Sequence, residues 1–148
     1  MYHNPDFSVL FKNPAELEKH EAGESIFQAG ERGSCMYLIK SGEVEIKRGE
    51  KLLETVGPSG VFGEMSLVDG SPRSATAIAR TDCELLPIDE MRFFLLVEVK
   101  PSFALHVIQT LTRRLRTTSE SHKYRALANQ FILNPITRRE ENEGNVRQ

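Results

Sequence analysis

The sequence has no tryptophan, only two cysteines and no long apolar run, and each shortage closes off a class of protein. Cys35 and Cys83 are too few for a disulfide framework or a cysteine-rich zinc or iron–sulfur site, and they suit a reducing compartment. The longest uninterrupted apolar stretch, Phe93 to Val97, is far short of the ~20 residues that cross a bilayer. Met1 to Lys12 mixes His3, Asn4, Pro5 and Asp6 into its few apolar residues, unlike the basic start and apolar centre of a signal peptide. Charge of one sign is also lacking: 19 Lys and Arg against 21 Asp and Glu leave a net charge of -2. A chain built to coat nucleic acid presents a strongly basic face instead. The four histidines are scattered without the close spacing of a metal centre. What remains is a chain of 148 residues, room for one cytoplasmic domain with an ordinary core.

Apolar periodicity changes once, near Asp89. Before it, short β-prone runs (Met36 to Ile39, Val44 to Lys47, Leu52 to Val56, Ala75 to Ala79, Glu84 to Ile88) alternate with glycine and proline. Many short strands with regular turn signals predict an antiparallel sandwich or barrel. Pro14 to His20 reads as a short helical turn, and both cysteines fall in predicted strands, where they pack as small apolar side chains. After Asp89 the chain reads as helix, with Asp89 as N-cap and Lys100-Pro101 as a break. A second, long helix is predicted from Pro101 to about Asn129. Its Ala104, Ile108, Leu111, Leu115 and Thr118 follow a four-three spacing that places them on one face. That face either lies on the β-domain or pairs in parallel with a second copy of the chain. The domain is expected to fill residues 1–130, and 131–148, charged and almost without apolar residues, to be a flexible tail.

The stretch that carries chemistry is Val61 to Ala77, VFGEMSLVDGSPRSATA. Gly63 lets backbone approach a ligand, and Glu64 to Leu67 can form a helical turn whose free amides face an anion. Arg73 offers a planar fork suited to phosphate oxygens, with the Ser74 hydroxyl beside it. Glu64, repelled by a phosphate, suits a sugar hydroxyl. A pocket for one phosphate and one ribose hydroxyl is one reading; a structural ion pair between Glu64 and Arg73 is the other. Gly57, Gly60 and Gly63 make neither a Walker loop nor a dinucleotide fingerprint. Ser66 has no histidine placed as a base, so nothing points to an enzyme. The basic cluster Arg113, Arg114, Arg116, Lys123 and Arg125 reads as a solvated helix face rather than a nucleic-acid site.

The stretch resembles the phosphate-binding cassette of cyclic nucleotide-binding domains, through Phe62, Gly63, Glu64, Met65, Ser66 and Leu67 followed by Pro72, Arg73, Ser74, Ala75 and Thr76. The resemblance extends roughly from Leu17 to Leu127 and is strongest to the sensor half of bacterial catabolite activators. It implies an α+β fold: an antiparallel β-roll, or jelly-roll sandwich, with a short cassette helix and C-terminal helices, the last one long. It implies that Arg73 pairs with the cyclic phosphate and that Glu64 accepts from the ribose 2′-hydroxyl. The amides of Gly63, Met65 and Ala75, with Ser74, would complete a cradle in which Phe62 and Ser66 also take part. A second match, Arg114 to Glu120, implies that Thr118 reaches the adenine and that Ser119 reaches it from the other protomer of a homodimer.

The ligand implied is cAMP, with cGMP the second candidate, and no cofactor or metal is expected. About 20 residues follow Ala128, too few for a helix-turn-helix domain of the usual size. The expected function is therefore a stand-alone cAMP sensor, homodimeric through its long helix, that signals to a separate, unknown effector protein. The alternatives are a dimeric scaffold of the same fold with secondary ligand binding, and a transcription regulator lacking its helix-turn-helix.

Overall fold

The structure, a computed structural model, describes residues 6–118, the side chain of Thr118 excepted. The chain opens on two 3-10 turns, Ser8–Phe11 and Pro14–Glu16. Eight strands follow: β1 Glu18–His20, β2 Ser25–Phe27, β3 Met36–Ser41, β4 Val44–Arg48, β5 Lys51–Val56, β6 Val61–Phe62, β7 Thr76–Ala79 and β8 Cys83–Ile88. Three helices complete it: α1 Glu64–Asp69, between β6 and β7, then α2 Glu90–Val99 and α3 Ser102–Thr118. The strands form two four-stranded sheets, in the orders β1-β8-β3-β6 and β2-β7-β4-β5, and every pairing is antiparallel. This is the β-roll expected from the turn pattern and the resemblance.

The five β-prone runs all became strands within a residue or two of their expected ends. Two readings need correction. Glu18–His20 is not helical but a strand paired with β8, in the register Glu18 to Leu85 and His20 to Cys83. Asn13 caps the preceding turn by accepting from the Ala15 amide, and Leu17 then turns extended, so the helix stops after one turn. Cys35 lies not in a strand but one residue ahead of β3.

Tyr37 and Ile39 of β3, Phe62 of β6 and Cys83 and Leu85 of β8 share one core with Val44, Val56, Ala77 and Ala79 of the other sheet. Met36 and Leu38 are as completely buried, and on a strand whose side chains alternate they must face the opposite side. A second apolar layer lies in the N-terminal turns and the helices, where Phe7 and Phe103 are buried edge to face, 5.5 Å apart. Arg92 of α2 ties the layer together, donating to the Pro87 carbonyl at 3.1 Å and to Glu16 Oε2 at 2.6 Å. Asp89 caps α2 as expected, its Oδ1 accepting from the Arg92 amide at 2.8 Å.

Two compact units divide the chain, the first ending at Val107 and the second starting at Ile108, within α3. In the second unit the described residues are helical, and Ile108 and Leu115 of the expected seam are exposed. Residues 119–148, where the rest of a long helix and a tail were expected, lie outside the described residues. No helix among the described residues is long and apolar enough to cross a membrane.

Candidate ligand-binding site

The cassette is the crossover between the sheets: β6 ends one, β7 belongs to the other, and the chain between them turns through α1. Gly63 makes the strand-to-helix reversal at φ +78°, a backbone region that side chains disfavour. No side chain caps the start of α1. At its far end Gly70, at φ +71°, returns its amide to the Ser66 carbonyl at 3.1 Å. Ser71 is then held from two directions: its carbonyl accepts from the Ser66 hydroxyl at 2.8 Å, and its amide donates to Asp69 Oδ1 at 2.9 Å.

Arg73 is the centre of the arrangement. Its backbone is clamped to the β2–β3 loop, the carbonyl accepting from the Gly30 amide and the amide donating to the Glu31 carbonyl, both at 2.8 Å. Thr76 holds the same loop by accepting from the Ala29 amide at 3.0 Å. The Arg73 side chain is only 6% exposed. Its Nη1 donates to the Gly63 carbonyl at 3.0 Å, which closes the cassette on itself. Its Cζ lies 4.0 Å from the centre of the Phe27 ring and 5.9 Å from that of Tyr37. Nη2 is 4.0 Å from the Cys35 sulfur. Nε has no hydrogen-bond partner, and Arg73 makes no ion pair among the described residues.

A guanidinium is a permanent cation, and a buried charge without a counter-charge is costly. Two aromatic faces offset part of that cost, on the order of 2 kcal/mol when desolvated. The remainder is what an anion with several acceptor oxygens could offset. Glu64, also 6% exposed, follows Gly63 directly and has interactions of its own. The structural alternative, an ion pair between Glu64 and Arg73, is not formed.

The other expected site residues divide by what their side chains do. Ala75 is buried, Ser74 is exposed, and Met65 is 51% exposed. The Phe62 ring belongs to the floor, stacked on Tyr37 at 5.2 Å. The Ser66 hydroxyl is committed to the Ser71 carbonyl, so both of these hold the cassette from inside. The Thr118 side chain and Ser119, assigned to the purine, lie outside the described residues.

Sequence reasoning missed three participants: Phe27 beneath the guanidinium, Cys35 beside it and Gly33 against it. An added Cβ on Gly33 would come within 2.5 Å of Arg73 Cζ and Nη2. The glycine therefore provides room for the side chain, where the sequence suggested only a turn.

Residues 17–99, more than half of the chain, match the sequence model of the cyclic nucleotide-binding domain. The chain belongs to this family. A cyclic AMP receptor protein of Thermus thermophilus is 39% identical over 99 residues, which are 64% of this chain and 46% of the relative. A cGMP-dependent protein kinase of Plasmodium berghei is 40% identical over 81 residues, 54% of this chain and 10% of the kinase. Among solved structures, the Thermus thermophilus catabolite activator protein superposes with a TM-score of 0.60 at 33% identity, covering 76% of this chain and 60% of that one. The chain spans less than half the length of these curated relatives. The cassette of this cyclic nucleotide-binding domain, built around Gly63, Glu64 and Arg73, is thus its candidate regulatory site.

Proposed function

We propose that this cyclic nucleotide-binding domain is a cAMP sensor and not an enzyme. The observation that carries this reading is the buried Arg73 guanidinium, with its Nε unpartnered, closing a glycine-hinged cassette. The cyclic phosphate supplies the negative charge and the acceptor that Nε lacks. Glu64 accepts from the ribose 2′-hydroxyl, and the amides of Gly63, Met65 and Ala75, with the exposed Ser74, surround the phosphate. Thr118 and Ser119 are proposed to read the base. No cofactor takes part. A relative named as a cyclic AMP receptor supports cAMP as the ligand. The cGMP-dependent kinase makes cGMP the competitor to test. We further propose that the protein works in the cytoplasm as a homodimer through α3 and passes ligand occupancy to a separate effector protein.

Calorimetric titration with cAMP and cGMP tests the ligand. Saturable binding of cAMP, tighter than cGMP, is expected, and no heat from either at millimolar concentration would refute the reading. Arg73→Ala removes charge-assisted hydrogen bonds of roughly 1.5–3 kcal/mol, so affinity should fall about ten- to a hundredfold.

A further inference from the structure

We propose that Cys35 is a modification site through which small disulfides control access of the ligand to Arg73, an inference that rests on the cyclic-nucleotide reading above. The two thiols of the chain have opposite surroundings. Cys83 is 3% exposed, and its sulfur donates to the carbonyls of Thr81 at 3.2 Å and Glu43 at 3.3 Å. Burial raises the pKa of that thiol, and nucleophilic chemistry requires the thiolate, so Cys83 is inert. Cys35 is only partly buried, sits in the loop ahead of β3, and places its sulfur 4.0 Å from Arg73 Nη2.

Cys35 packs against the apolar core on one side and borders the guanidinium on the other, and it is partly exposed where Cys83 is buried. The same guanidinium is almost fully buried and carries the unpartnered Nε, so an anion brought into the site meets a waiting donor. Gly33 and Gly63 have no Cβ, and the guanidinium fills the space that a side chain at either position would take. Anything attached to the Cys35 sulfur therefore competes for the volume and the charge that the ligand phosphate needs.

The chemistry is thiol–disulfide exchange with a low-molecular-weight disulfide such as oxidised glutathione. The Cys35 thiolate attacks one sulfur of the reagent, whose S–S bond breaks as the new mixed disulfide forms. The departing thiolate takes up the proton that Cys35 lost, and added thiol reverses the step. A glutathione adduct also carries two carboxylates, which would occupy Arg73 in place of phosphate.

The reduced protein is treated with oxidised glutathione with and without saturating cAMP, the adduct is located by peptide mass, and cAMP affinity is measured by calorimetry. Cys35 should take up glutathione while Cys83 does not, and cAMP should slow the uptake about tenfold or more. The adduct should bind cAMP at least about tenfold more weakly, with dithiothreitol restoring the affinity. Cys35→Ser should be indifferent to the disulfide, its cAMP affinity being the same before and after treatment with oxidised glutathione. No uptake at Cys35, uptake unaffected by cAMP, or an adduct with unchanged affinity would overturn the proposal. An adduct that has lost its near-ultraviolet circular dichroism would do the same, because the loss of binding would then be unfolding. Reduced protein that binds neither cAMP nor cGMP would instead refute the cyclic-nucleotide reading itself, so the two failures are distinguishable.

Discussion

At the scale of residues, Arg73 shows how much one side chain depends on what its neighbours lack. Gly33 has no Cβ, and the space this leaves is filled by the Arg73 guanidinium, within 2.5 Å of where a Cβ would lie. Gly33 is outside the left-handed backbone region, so alanine fits its conformation and conflicts only with Arg73. Gly33→Ala should therefore leave the thermal midpoint nearly unchanged while weakening cAMP binding about tenfold, roughly what one misplaced charge-assisted hydrogen bond costs. In an Arg73→Ala background the same substitution should have no further effect, the coupling expected of residues that act through one contact. Additive losses in that double-mutant cycle would show that Gly33 acts on the fold and not on Arg73. The cassette that carries Glu64 and Arg73 was legible in the sequence because its residues are contiguous there. Phe27, Gly33 and Cys35 were not, since each acts by approaching a side chain about 40 residues away and a glycine's empty volume has no local signature.

At the scale of elements, α1 is six residues long, too short to be stable in isolation, so its ends must be held by something else. Gly63 and Gly70 supply the reversals, Ser66 and Asp69 hold Ser71, and the β2–β3 loop clamps Arg73. Hydrogen bonds from the Ser71 side chain and backbone hold the Asp69 carboxyl below the usual carboxylate range. Its contribution is thus fully present above the ordinary aspartate value of about 3.9 and fades as pH falls through the lowered folded value. The Ser71 amide proton, followed by NMR, should titrate with a midpoint below that ordinary value, and Asp69→Asn should abolish the titration. A midpoint at or above it would mean that the loop is not held this way. The same dependence on partners explains which elements the sequence disclosed. β3, β4, β5, β7 and β8 carry β-prone runs bounded by turn residues. Glu18–His20 carries no apolar alternation and is a strand only because β8 offers an unpaired edge. Cap chemistry at Asp89 and the Lys100-Pro101 break are local, so α2 was legible at both ends.

At the scale of the whole molecule, composition narrowed the classes, and the resemblance pointed to the cyclic nucleotide-binding domain that the chain contains. The division of the chain inside α3 was not legible, because the four-three apolar spacing runs through Val107 and Ile108 without a break. That continuity bears on assembly. Ile108 is 57% and Leu115 72% exposed, seven residues apart on one helix face, while Leu111 between them is half-buried. Large apolar side chains repeating at heptad spacing and left in water are the pattern that a second helix covers in a coiled-coil contact. The parallel homodimer proposed above would cover these side chains. Lysine at both positions would set like charges against each other across such a contact and remove its apolar seam. The wild-type protein should sediment as a dimer, and the Ile108→Lys, Leu115→Lys double variant as a monomer. Because Gly63, Glu64 and Arg73 all belong to the first compact unit, the phosphate and ribose contacts should survive in the monomer. Measurable cAMP affinity in the monomer, reduced only by whatever a second protomer contributes, is therefore the expected calorimetric result. Wild-type protein that sediments as a monomer at every concentration tested would refute the homodimer.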